Sequence, residues 1–545
     1  MKIFEELRSE FIKVLNKFNI EEKVDIKISK NQEFDYQINN LVKHINHKEI
    51  VKITSKFSEV LVKLNIIEEF EITEKLFINL KINLNDCDKF IKNIEKNIKV
   101  VEPKKIIIDY GGPNIGKPLH VGHLRSLNIG RSLKRLNEFI GNKVITDIHL
   151  GDWGMPVAQV ISYCKLNDIS INELSVDRLI KIYPESAELY KNSEDFNTEA
   201  KGINKKLNQL DKNTINEWSL IRRISVDDLK KTLSILNHDF DLWDGESNVN
   251  EIIEPMIESL KNKGKVDYDD GALVSTQDSE PKILITKSDG SYLYLTTDLA
   301  TILNRIEKHD FDSTLYVVDA RQKLHFEQLF QTVEYFDFPS KSYTHVDFGT
   351  INDPEGKPFR TRDGGTKQLL SLYDETFNYI QNINKDLNEE TIHKLANTVL
   401  TYSDLLTNRK TDYKFNIEKF TNISGKTGIY VQYAQVRANK LIDKSNIKLT
   451  NKKLNLSNNS ERNLFLGLLN TELYIHQSIR FNEPHHLANH LYEICNLFNI
   501  FYQEENILNL ENEILKTSKL LLTSYFLDTI KILFKCLGIQ SVNKM

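Results

Sequence analysis

The sequence predicts an α/β protein with a Rossmann-type doubly wound parallel sheet in its central domain, a small α+β domain before it and an all-α bundle after it. Its 545 residues correspond to three or four domains at about 150 residues per domain. A β-branched strand at Lys105–Tyr110, a glycine-rich loop, a helix and a second strand at Lys143–Asp147 are typical of the start of a doubly wound sheet. The last ~130 residues have the apolar spacing of a helical bundle.

The first domain is expected to span residues 1–100. Apolar residues recur at helical spacing over residues 4–18 and 49–64, whereas residues 77–84 alternate like a strand and residues 90–98 are again helical. No catalytic set of residues occurs in this part of the sequence, so the chemistry is expected further along the chain.

The central domain is expected to span residues 101–375. A helix should follow the glycine loop over residues 120–139, and the charged, glycine-poor stretch 165–240 is predicted to be a helical insertion. Within this domain, strand-like runs return three times, at residues 282–286, 292–296 and 314–318. The helical domain is then expected to span residues 376–545.

The composition excludes several classes of protein. Glycine (21 residues) and proline (11 residues) are scarce, which excludes collagen-like and linker-rich architectures. The start of the sequence has no apolar signal segment, and no run approaches the ~20 apolar residues that span a bilayer. No two of the four cysteines have metal-ligand spacing, and four cysteines in 545 residues are too few for a disulfide scaffold. A soluble cytoplasmic protein without membrane association is therefore expected.

The net charge of −5 at pH 7 does not by itself favour a nucleic-acid partner. The charge is uneven, however: residues 101–410 carry 38 Lys and Arg against 48 Asp and Glu, whereas residues 411–545 carry 16 against 12. Local basic patches could therefore hold a polyanion, although mixed charge on solvated helices explains the same pattern.

The glycine loop, residues 111–117, reads GGPNIGK and matches the phosphate-loop pattern G-x-x-x-x-G-K between a strand and a helix. Residues 315–319 (LYVVD) resemble the apolar strand and aspartate that hold magnesium in such proteins, so a P-loop NTPase is one hypothesis. Pro118 stands where that motif needs a hydroxyl for Mg²⁺, and Pro113 removes one loop N–H that would contact phosphate. Both residues count against the hypothesis.

Two histidines follow this loop. His120 and His123 are three residues apart at the predicted start of a helix, which places one ring above the other. A helix N-terminus attracts phosphate through its free N–H groups and its dipole, and imidazole donors add contacts that follow phosphates whose charge changes during a reaction. Gly122 between them allows a flat ring to approach the backbone. A metal site and two core histidines are the alternatives, but no third metal ligand is evident.

Residues 109–126, DYGGPNIGKPLHVGHLRS, resemble the HIGH-type signature of class I aminoacyl-tRNA synthetases, and the residues around the histidines resemble those of the arginyl-tRNA synthetases. Further segments resemble this family in the same order over nearly the whole chain. They are DYQINNLVK (35–43), HLGDWG (149–154), WDGES (243–247), SDGSYLYLTTDLA (288–300), VVDARQKLHFEQL (317–329), GKPFRTRDGGT (356–366), TGIYVQYAQVRANKL (427–441), FNIFYQEENIL (498–508) and the terminal NKM.

The resemblance implies a two-step reaction. Arginine reacts with ATP, which enters with Mg²⁺ as a substrate complex, to give arginyl adenylate, and the arginyl group then passes to the 3′-terminal adenosine of tRNA-Arg. No tightly bound cofactor is implied, and family members need tRNA before they activate arginine. The expected partners are tRNA-Arg, L-arginine and ATP, and the chain is expected to be a monomer.

The resemblance also implies the residues that bind arginine. Tyr294 and Asp298 correspond to the guanidinium-binding Tyr and Asp of the family, and Gln322 corresponds to a third contact. Asp109 corresponds to a carboxylate near the bound amino acid, and Asn114 to an asparagine of the loop. A carboxylate matches the planar, five-donor guanidinium bidentately. Asp298 has an alternative interpretation as a helix N-cap, because Thr-Thr-Asp precedes Leu-Ala.

The implied ATP site consists of Gly116, His120, Gly122 and His123, and the implied catalytic residues are Lys117, His120 and His123. Adenylate formation is an in-line attack of a carboxylate on the α-phosphate, so stabilisation of charge dominates the catalysis. The residue types of this set are those that can donate hydrogen bonds to phosphate.

The KMSKS loop of this class of enzymes is degenerate in the present sequence. The corresponding residues 358–362 (PFRTR) carry Arg360 and Arg362 but no lysine at either signature position. Family members with such a loop carry a lysine three residues before the first signature histidine, and Lys117 occupies that position. The resemblance thus assigns Lys117 as the compensating cation and the two arginines to the ATP site. Gly111 also departs from the serine that is frequent in the family.

The family reads the anticodon with its C-terminal bundle and grips the tRNA elbow with its N-terminal domain. Tyr430, Tyr433 and Arg437 fall on one helical face, and aromatic residues with arginine suit stacking on unpaired bases. Packing of the tyrosines in the core is the alternative interpretation.

Three other hypotheses are compatible with parts of the sequence. Another class I synthetase is the nearest rival enzyme, although Tyr294 with Asp298 favours arginine and no zinc-type cysteine pair favours the cysteinyl enzyme. The P-loop NTPase and a catalytically silent tRNA-binding relative belong to different functional classes.

Overall fold

The computed structural model describes residues 2–20, 24–29, 31, 33–40, 50–64, 66–74, 77–85, 87–100, 102–288, 290–360, 367–450 and 452–545. The chain forms two compact units. The first contains the residues up to Lys99 together with Ala434–Gln477 and His490–Leu533. The second contains Val100–Tyr433, Ser478–Asn489 and Phe534–Met545.

The first unit has an antiparallel sheet and two packed helices in its N-terminal part. The elements are α1 (Lys2–Asn16), β1 (Ile26–Ile28), β2 (Tyr36–Ile38), α2 (Ile50–Lys63), β3 (Ile67–Ile72), β4 (Ile78–Ile82), α3 (Asp88–Lys92) and α4 (Ile94–Asn97). The strand order is β1-β2-β4-β3, and every pair is antiparallel. Helices α1 and α2 pack through Phe11 and Phe57, whose ring centroids lie 4.5 Å apart. The predicted α+β fold of this part is confirmed. Of the segment at residues 35–43, the last three lie outside the described residues.

The second unit is built on a four-stranded parallel sheet. Its strands are β5 (Lys105–Tyr110), β6 (Lys143–Asp147), β10 (Ser313–Val317) and β11 (Ser342–His345). The strand order is β11-β10-β5-β6, and all three pairs are parallel. The chain moves from β5 to β6 on one side and later returns to β10 on the other side of β5. This reversal is a topological switch point, where ligands of such sheets bind outside the carboxyl ends of the strands. The predicted parallel sheet is confirmed, and β5 and β6 have the predicted bounds.

Helices and a small second sheet fill the connections of the parallel sheet. The predicted helical insertion contains α7, α8 and α9, and β7, β8 and β9 form an antiparallel sheet in that order. The elements are α5 (His123–Ile140), α6 (Met155–Leu166), α7 (Val176–Asn192), α8 (Glu194–Asn208), α9 (Lys212–Ile235), α10 (Asn250–Asn262), β7 (Val266–Asp269), β8 (Ala272–Ser275), β9 (Leu284–Thr286), α11 (Tyr294–Lys308), α12 (Lys323–Tyr335) and β12 (Ile351–Asn352).

The prediction of a strand at residues 292–296 is wrong. Helix α11 begins at Tyr294, and Tyr292 forms only an isolated bridge to Thr286. The β-branched and aromatic residues of this stretch have high strand propensity, but the Thr296 hydroxyl donates to the backbone oxygen of Ile285, and one face of the helix is buried. Tertiary packing therefore overrides local propensity here. The helix predicted from residue 120 likewise begins at His123, three residues later than expected.

The C-terminal part of the chain is helical, as predicted. Strand β13 pairs in parallel with β12 before the last helices begin. In the described part of the chain, no helix combines the length and apolarity that crossing a membrane requires. The elements are α13 (Leu369–Ile383), α14 (Glu389–Leu405), β13 (Tyr413–Lys414), α15 (Ile417–Phe420), α16 (Gly428–Ser445), α17 (Asn459–Leu469), α18 (Thr471–Phe481), α19 (His485–Glu504) and α20 (Glu513–Leu537).

Candidate active site

The glycine loop after β5 is tied to the rest of the unit by its own backbone donors. The Gly111 N–H donates to Ser126 Oγ (2.8 Å), and that hydroxyl donates to the backbone oxygen of Val317 (2.7 Å) at the end of β10. The Gly116 N–H donates to Ser225 Oγ (2.9 Å). These amides are engaged within the protein, whereas a phosphate loop needs such amides free to cradle the anion. The loop geometry therefore disfavours the P-loop hypothesis.

Lys117 lies against an aromatic ring that the sequence analysis did not single out. Its Nζ is 4.2 Å from the centroid of the Tyr183 ring, which α7 of the insertion provides. Burial lowers the pKa of Lys117. Gly116 has a φ of +76°, and a Cβ there would lie 3.0 Å from Tyr183 Cδ2. The turn at Gly116 and the ring of Tyr183 together set the direction of the lysine side chain.

His120 and His123 form a close pair of rings, tilted by 36° to each other, at the start of α5. Their ring centroids are 3.8 Å apart, and the His120 backbone N–H donates to His123 Nδ1 (3.0 Å). His123 Nδ1 also lies 3.2 Å from the His120 backbone oxygen, so the backbone of His120 holds this ring nitrogen. Burial and the neighbouring His120 lower the pKa of His123 to about 3, and burial, Lys117 and Arg321 lower the pKa of His120. Both rings are therefore neutral hydrogen-bond donors near pH 7.

Gly122 is the residue that permits this close approach of the two rings. A Cβ at Gly122 would lie 2.9 Å from both Cε1 and Nδ1 of the His120 ring, which is closer than real Cβ contacts. The flat ring that lies against the backbone of Gly122 in this structure is that of His120. Gly122 is also the N-cap of α5, so the pair stands at a helix N-terminus although His120 itself precedes the helix.

Tyr294 and Asp298 lie one turn apart at the start of α11. Tyr294 is 76% exposed despite its size. The N-cap of α11 is Leu293, so Asp298 is the fifth residue of the helix and the N-cap interpretation of Asp298 is wrong. Its carboxylate Oδ2 lies 2.6 Å from His325 Nε2 on the neighbouring helix α12. The two side chains that the resemblance assigns to the guanidinium thus share one face of one helix.

Glu246 adds another carboxyl group to this region, and the sequence analysis gave it no role although it lies in the WDGES segment. Burial raises the pKa of Glu246 to about 7; His149 opposes the rise, whereas Asp152 and Asp298 add to it. Partial burial of its hydroxyl raises the pKa of Tyr294, and the charges of Glu246 and Asp298 raise it further. Tyr294 therefore stands among carboxyl groups, which is an environment that attracts a cation.

Asn114 and Gln322 lie in the loops on either side of the switch point, and both are exposed. Gln322 ends a short 3₁₀ helix, Ala320–Gln322, directly after β10. Asn114 forms an isolated parallel bridge with Gly151. A Cβ at Gly151 would lie 1.9 Å from Asn114 Oδ1, so the HLGDWG segment needs glycine at this point. Both predicted arginine contacts thus follow the carboxyl ends of neighbouring strands.

Asp109 is the most buried of the predicted arginine-binding residues, and it is part of an ion pair. Arg305 Nη2 donates to Asp109 Oδ2 (2.5 Å) and to Asp147 Oδ2 (2.7 Å), and the Arg305 side chain is 2% exposed. The two aspartates face each other in register on β5 and β6. His149 Nδ1 lies 3.4 Å from Asp147 Oδ2; burial lowers its pKa, but Asp147 outweighs burial and raises it to about 9. The guanidinium of Arg305 thus stands against both carboxylates, where a metal ion would otherwise fit.

The described part of the degenerate KMSKS segment ends at Arg360, and the described chain resumes at Lys367. Val121 N–H donates to the Lys367 oxygen (3.0 Å), and Leu369 N–H donates to the Leu119 oxygen (2.8 Å). Arg360 is exposed, whereas Arg362 lies outside the described residues. The chain that follows residues 361–366 is therefore anchored directly beside His120.

The three residues predicted to contact tRNA lie on α16. Tyr430, Tyr433 and Arg437 are all partly buried. Arg437 Nη1 donates to Asn499 Oδ1 (2.7 Å), and its guanidinium lies 4.8 Å from the centroid of the Tyr502 ring. The Arg437 side chain is thus engaged within the first unit.

Two family models match the chain. The model described as "tRNA synthetases class I (R), catalytic domain" matches residues 87–417, and the DALR anticodon binding domain matches residues 431–545. The arginine–tRNA ligase of Francisella tularensis subsp. novicida (strain U112) is 32% identical over 513 residues, which is 88% of each chain. That of Alkaliphilus oremlandii (strain OhILAs) is 33% identical over 532 residues, 91% of each chain.

Solved structures share the fold. The arginyl-tRNA synthetase from Plasmodium falciparum superposes with a TM-score of 0.84 at 24% identity and covers 100% of this chain and 99% of its own. The Thermus thermophilus arginyl-tRNA synthetase superposes with a TM-score of 0.82 at 19% identity, with 99% of both chains covered. These likenesses extend over both compact units.

Proposed function

Because this chain belongs to the arginyl-tRNA synthetases, the class I ligases that join arginine to tRNA, we propose that the switch point of its parallel sheet holds arginine on α11 and ATP at the start of α5. Tyr294 and Asp298 bind the guanidinium, and His120 and His123 bind the phosphates. The observation that carries this assignment is that both pairs lie at element starts beside the carboxyl ends of the strands.

Selection of arginine rests on charge. Guanidinium is a planar cation with five N–H donors, and a carboxylate accepts two of them in parallel. Asp298 supplies the carboxylate and the exposed Tyr294 supplies a ring face and a hydroxyl. Gln322 and Asn114 contact the amino acid from the two flanking loops, and Asp109, fixed by Arg305, sets a carboxylate at the end of β5.

Activation of arginine is an in-line displacement. A carboxylate oxygen of arginine forms a bond to the α-phosphorus of ATP, and the bond from that phosphorus to the bridging oxygen breaks, so that pyrophosphate leaves with the Mg²⁺ of the substrate complex. His120 and His123 donate N–H groups to the phosphate oxygens on which charge builds up. Their lowered pKa values keep them neutral, so they do so without a proton being gained or lost. Gly116 lets the loop approach the nucleotide, and Gly122 lets the two histidine rings do so.

Lys117 compensates for the degenerate KMSKS segment. It is a cation three residues before His120, on the loop side of the phosphate site. Arg360 and Arg362 are the further cations assigned to the leaving pyrophosphate, and the chain at Lys367 is anchored beside His120. The three cations together replace the paired lysines that the signature normally supplies.

Transfer to tRNA completes the reaction. A ribose hydroxyl of the terminal adenosine attacks the carbonyl carbon of arginyl adenylate, and AMP leaves. Residues 1–100 grip the tRNA elbow and residues 376–545 form the helical domain that reads the anticodon, with Tyr430, Tyr433 and Arg437 on the contacting helix. Residues 101–375 form the catalytic domain, with the insertion at residues 165–240, and the chain works as a monomer.

A panel of amino acids in ATP–pyrophosphate exchange, each with and without tRNA, tests the proposal. Of the amino acids in the panel, arginine should be the one that supports exchange. It should do so when tRNA is added and not without it, because the degenerate segment at residues 358–362 needs tRNA to place it. Exchange with a different amino acid would point to another class I specificity, and amino-acid-independent ATP hydrolysis would point to an NTPase. Robust arginine-dependent exchange without tRNA would contradict the proposed order.

A further inference from the structure

The imidazole of His325 is bonded to the carboxylate proposed to select arginine. His325 Nε2 lies 2.6 Å from Asp298 Oδ2, and the side chains are 25% and 33% exposed. An ionised carboxylate has no proton to donate, so Nε2 must carry the hydrogen of this bond. The bond therefore joins α12 to α11 at the point where the substrate guanidinium would arrive.

The ring of His325 stands on a rigid base. It meets the Phe326 ring edge-on, with centroids 5.3 Å apart. Phe326 is buried and packs against Tyr316 (5.2 Å) on β10 and against His345 (4.5 Å) on β11. The sheet thus fixes the start of α12, and α12 in turn fixes the donor that faces Asp298.

We propose that His325 is a positioning residue for arginine selection, whose Nε2–H holds Oδ2 of Asp298 so that the other carboxylate oxygen faces the substrate guanidinium. This inference rests on the proposed function of Asp298. A short aspartate side chain on a helix samples several rotamers, and a bond to one oxygen removes that freedom before the ligand binds.

The position of the bonded nitrogen gives a sharp test. Glutamine places its amide nitrogen near the position of histidine Nε2, whereas asparagine places it near Nδ1. His325→Gln should therefore keep the KM for arginine within a few-fold of the native value, while His325→Asn and His325→Ala should raise it on the order of 10- to 100-fold, as expected for a lost hydrogen bond to a charged group. The KM for ATP should stay unchanged in all three variants.

A matched control separates positioning from general loss of packing. His393 is also half-buried and is bonded to the hydroxyl of Tyr373 on α13 in the same unit, so it makes no bond to Asp298. His393→Ala should leave the KM for arginine unchanged. If His325→Asn and His325→Gln raise the KM equally, or if the KM for ATP rises in parallel, His325 does not act through Asp298 and the inference is overturned.

A double-mutant cycle distinguishes failure of this inference from failure of the proposed function. If Asp298→Asn leaves arginine kinetics unchanged, the guanidinium assignment itself fails. If Asp298→Asn impairs arginine use but His325→Ala has no effect, only the positioning role fails. The inference predicts that His325→Ala changes the KM for arginine less than two-fold in the Asp298→Asn background, because the oriented carboxylate is already absent.

Discussion

The ring of His120 lies so close to the backbone of Gly122 that a Cβ there would stand 2.9 Å from two ring atoms. Gly122 has a φ of −61°, an ordinary helical value, so glycine is required at this position by space and not by backbone conformation. The close, tilted contact of His120 with His123, and with it the direction of both N–H donors, depends on this missing side chain.

Replacement of Gly122 should separate activity from stability. Gly122→Ala should keep or raise the free energy of unfolding by about 0.5 kcal/mol, because alanine restricts the unfolded chain. The same change should lower kcat on the order of 10²-fold by displacing the His120 ring. Gly202→Ala on α8, where a Cβ meets nothing within 4 Å, is the matched control and should affect stability alone. Unchanged kcat in Gly122→Ala would contradict the role of the histidine pair.

The histidines should act mainly in the transition state. His120→Ala and His123→Ala should each lower kcat for pyrophosphate exchange on the order of 10²–10³-fold, as for the loss of one donor to a developing charge, with little change in the KM for arginine. His476→Ala, at a half-exposed histidine on α18, should have no effect. Recovery of activity on addition of Zn²⁺ would instead support the metal-site alternative.

Lys117 should serve the first half-reaction only. Lys117→Ala should strongly lower the rate of arginyl adenylate formation, because the ammonium group of Lys117 faces the leaving pyrophosphate. The same change should leave transfer from preformed adenylate to tRNA nearly intact. Lys117→Arg preserves the charge and should retain a larger share of the first step. Rates of the two half-reactions, measured separately, check this, and an equal loss in both would show that Lys117 has no specific role at the pyrophosphate.

Binding of arginine should depend on pH through Glu246. Its pKa of about 7 lies above the ordinary 4.5, chiefly because of burial, so the group is mostly protonated below pH 7 and mostly ionised above it. The ionised form attracts guanidinium, so the KM for arginine should fall as the pH rises from 6 to 8. His123, with a pKa of about 3, and His149, with a pKa of about 9, titrate outside this window. Glu246→Gln should flatten the profile, and an identical slope in both proteins would exclude Glu246 as its source.

The sequence allowed the sheet that carries the site to be predicted, because the apolar strands β5 and β6 are bounded by glycine turns, which are local signals. The prediction from sequence was wrong at residues 292–296, which have the composition of a strand but lie at the start of helix α11. The helix forms because it packs on Ile285 and buries one face. Contacts between distant residues could not be predicted. Arg305 meets Asp109 across 196 positions, and no local pattern marks an arginine that will be buried between two aspartates.

The residues of the site show the same division. His120, His123 and Gly122 were identifiable because they lie in one short segment that resembles the family signature and precedes a predicted helix. Tyr183 could not be identified from the sequence, because it lies in the insertion and only the fold brings its ring to Lys117. His325 lies within a segment that resembles the family, but only the fold brings its Nε2 to Asp298.

The steady-state kinetics of Asp298→Asn test the central claim most directly. The amide keeps the size of the side chain and removes its charge. The fall in kcat/KM for arginine should therefore correspond to a loss of about 2–5 kcal/mol of transition-state stabilisation, the range for breaking a buried, hydrogen-bonded charge pair. Citrulline, a neutral near-isostere, should lose much less, and discrimination between the two should shrink. A folded Asp298→Asn protein with unchanged kcat/KM for arginine would contradict the assignment of Asp298 to the guanidinium.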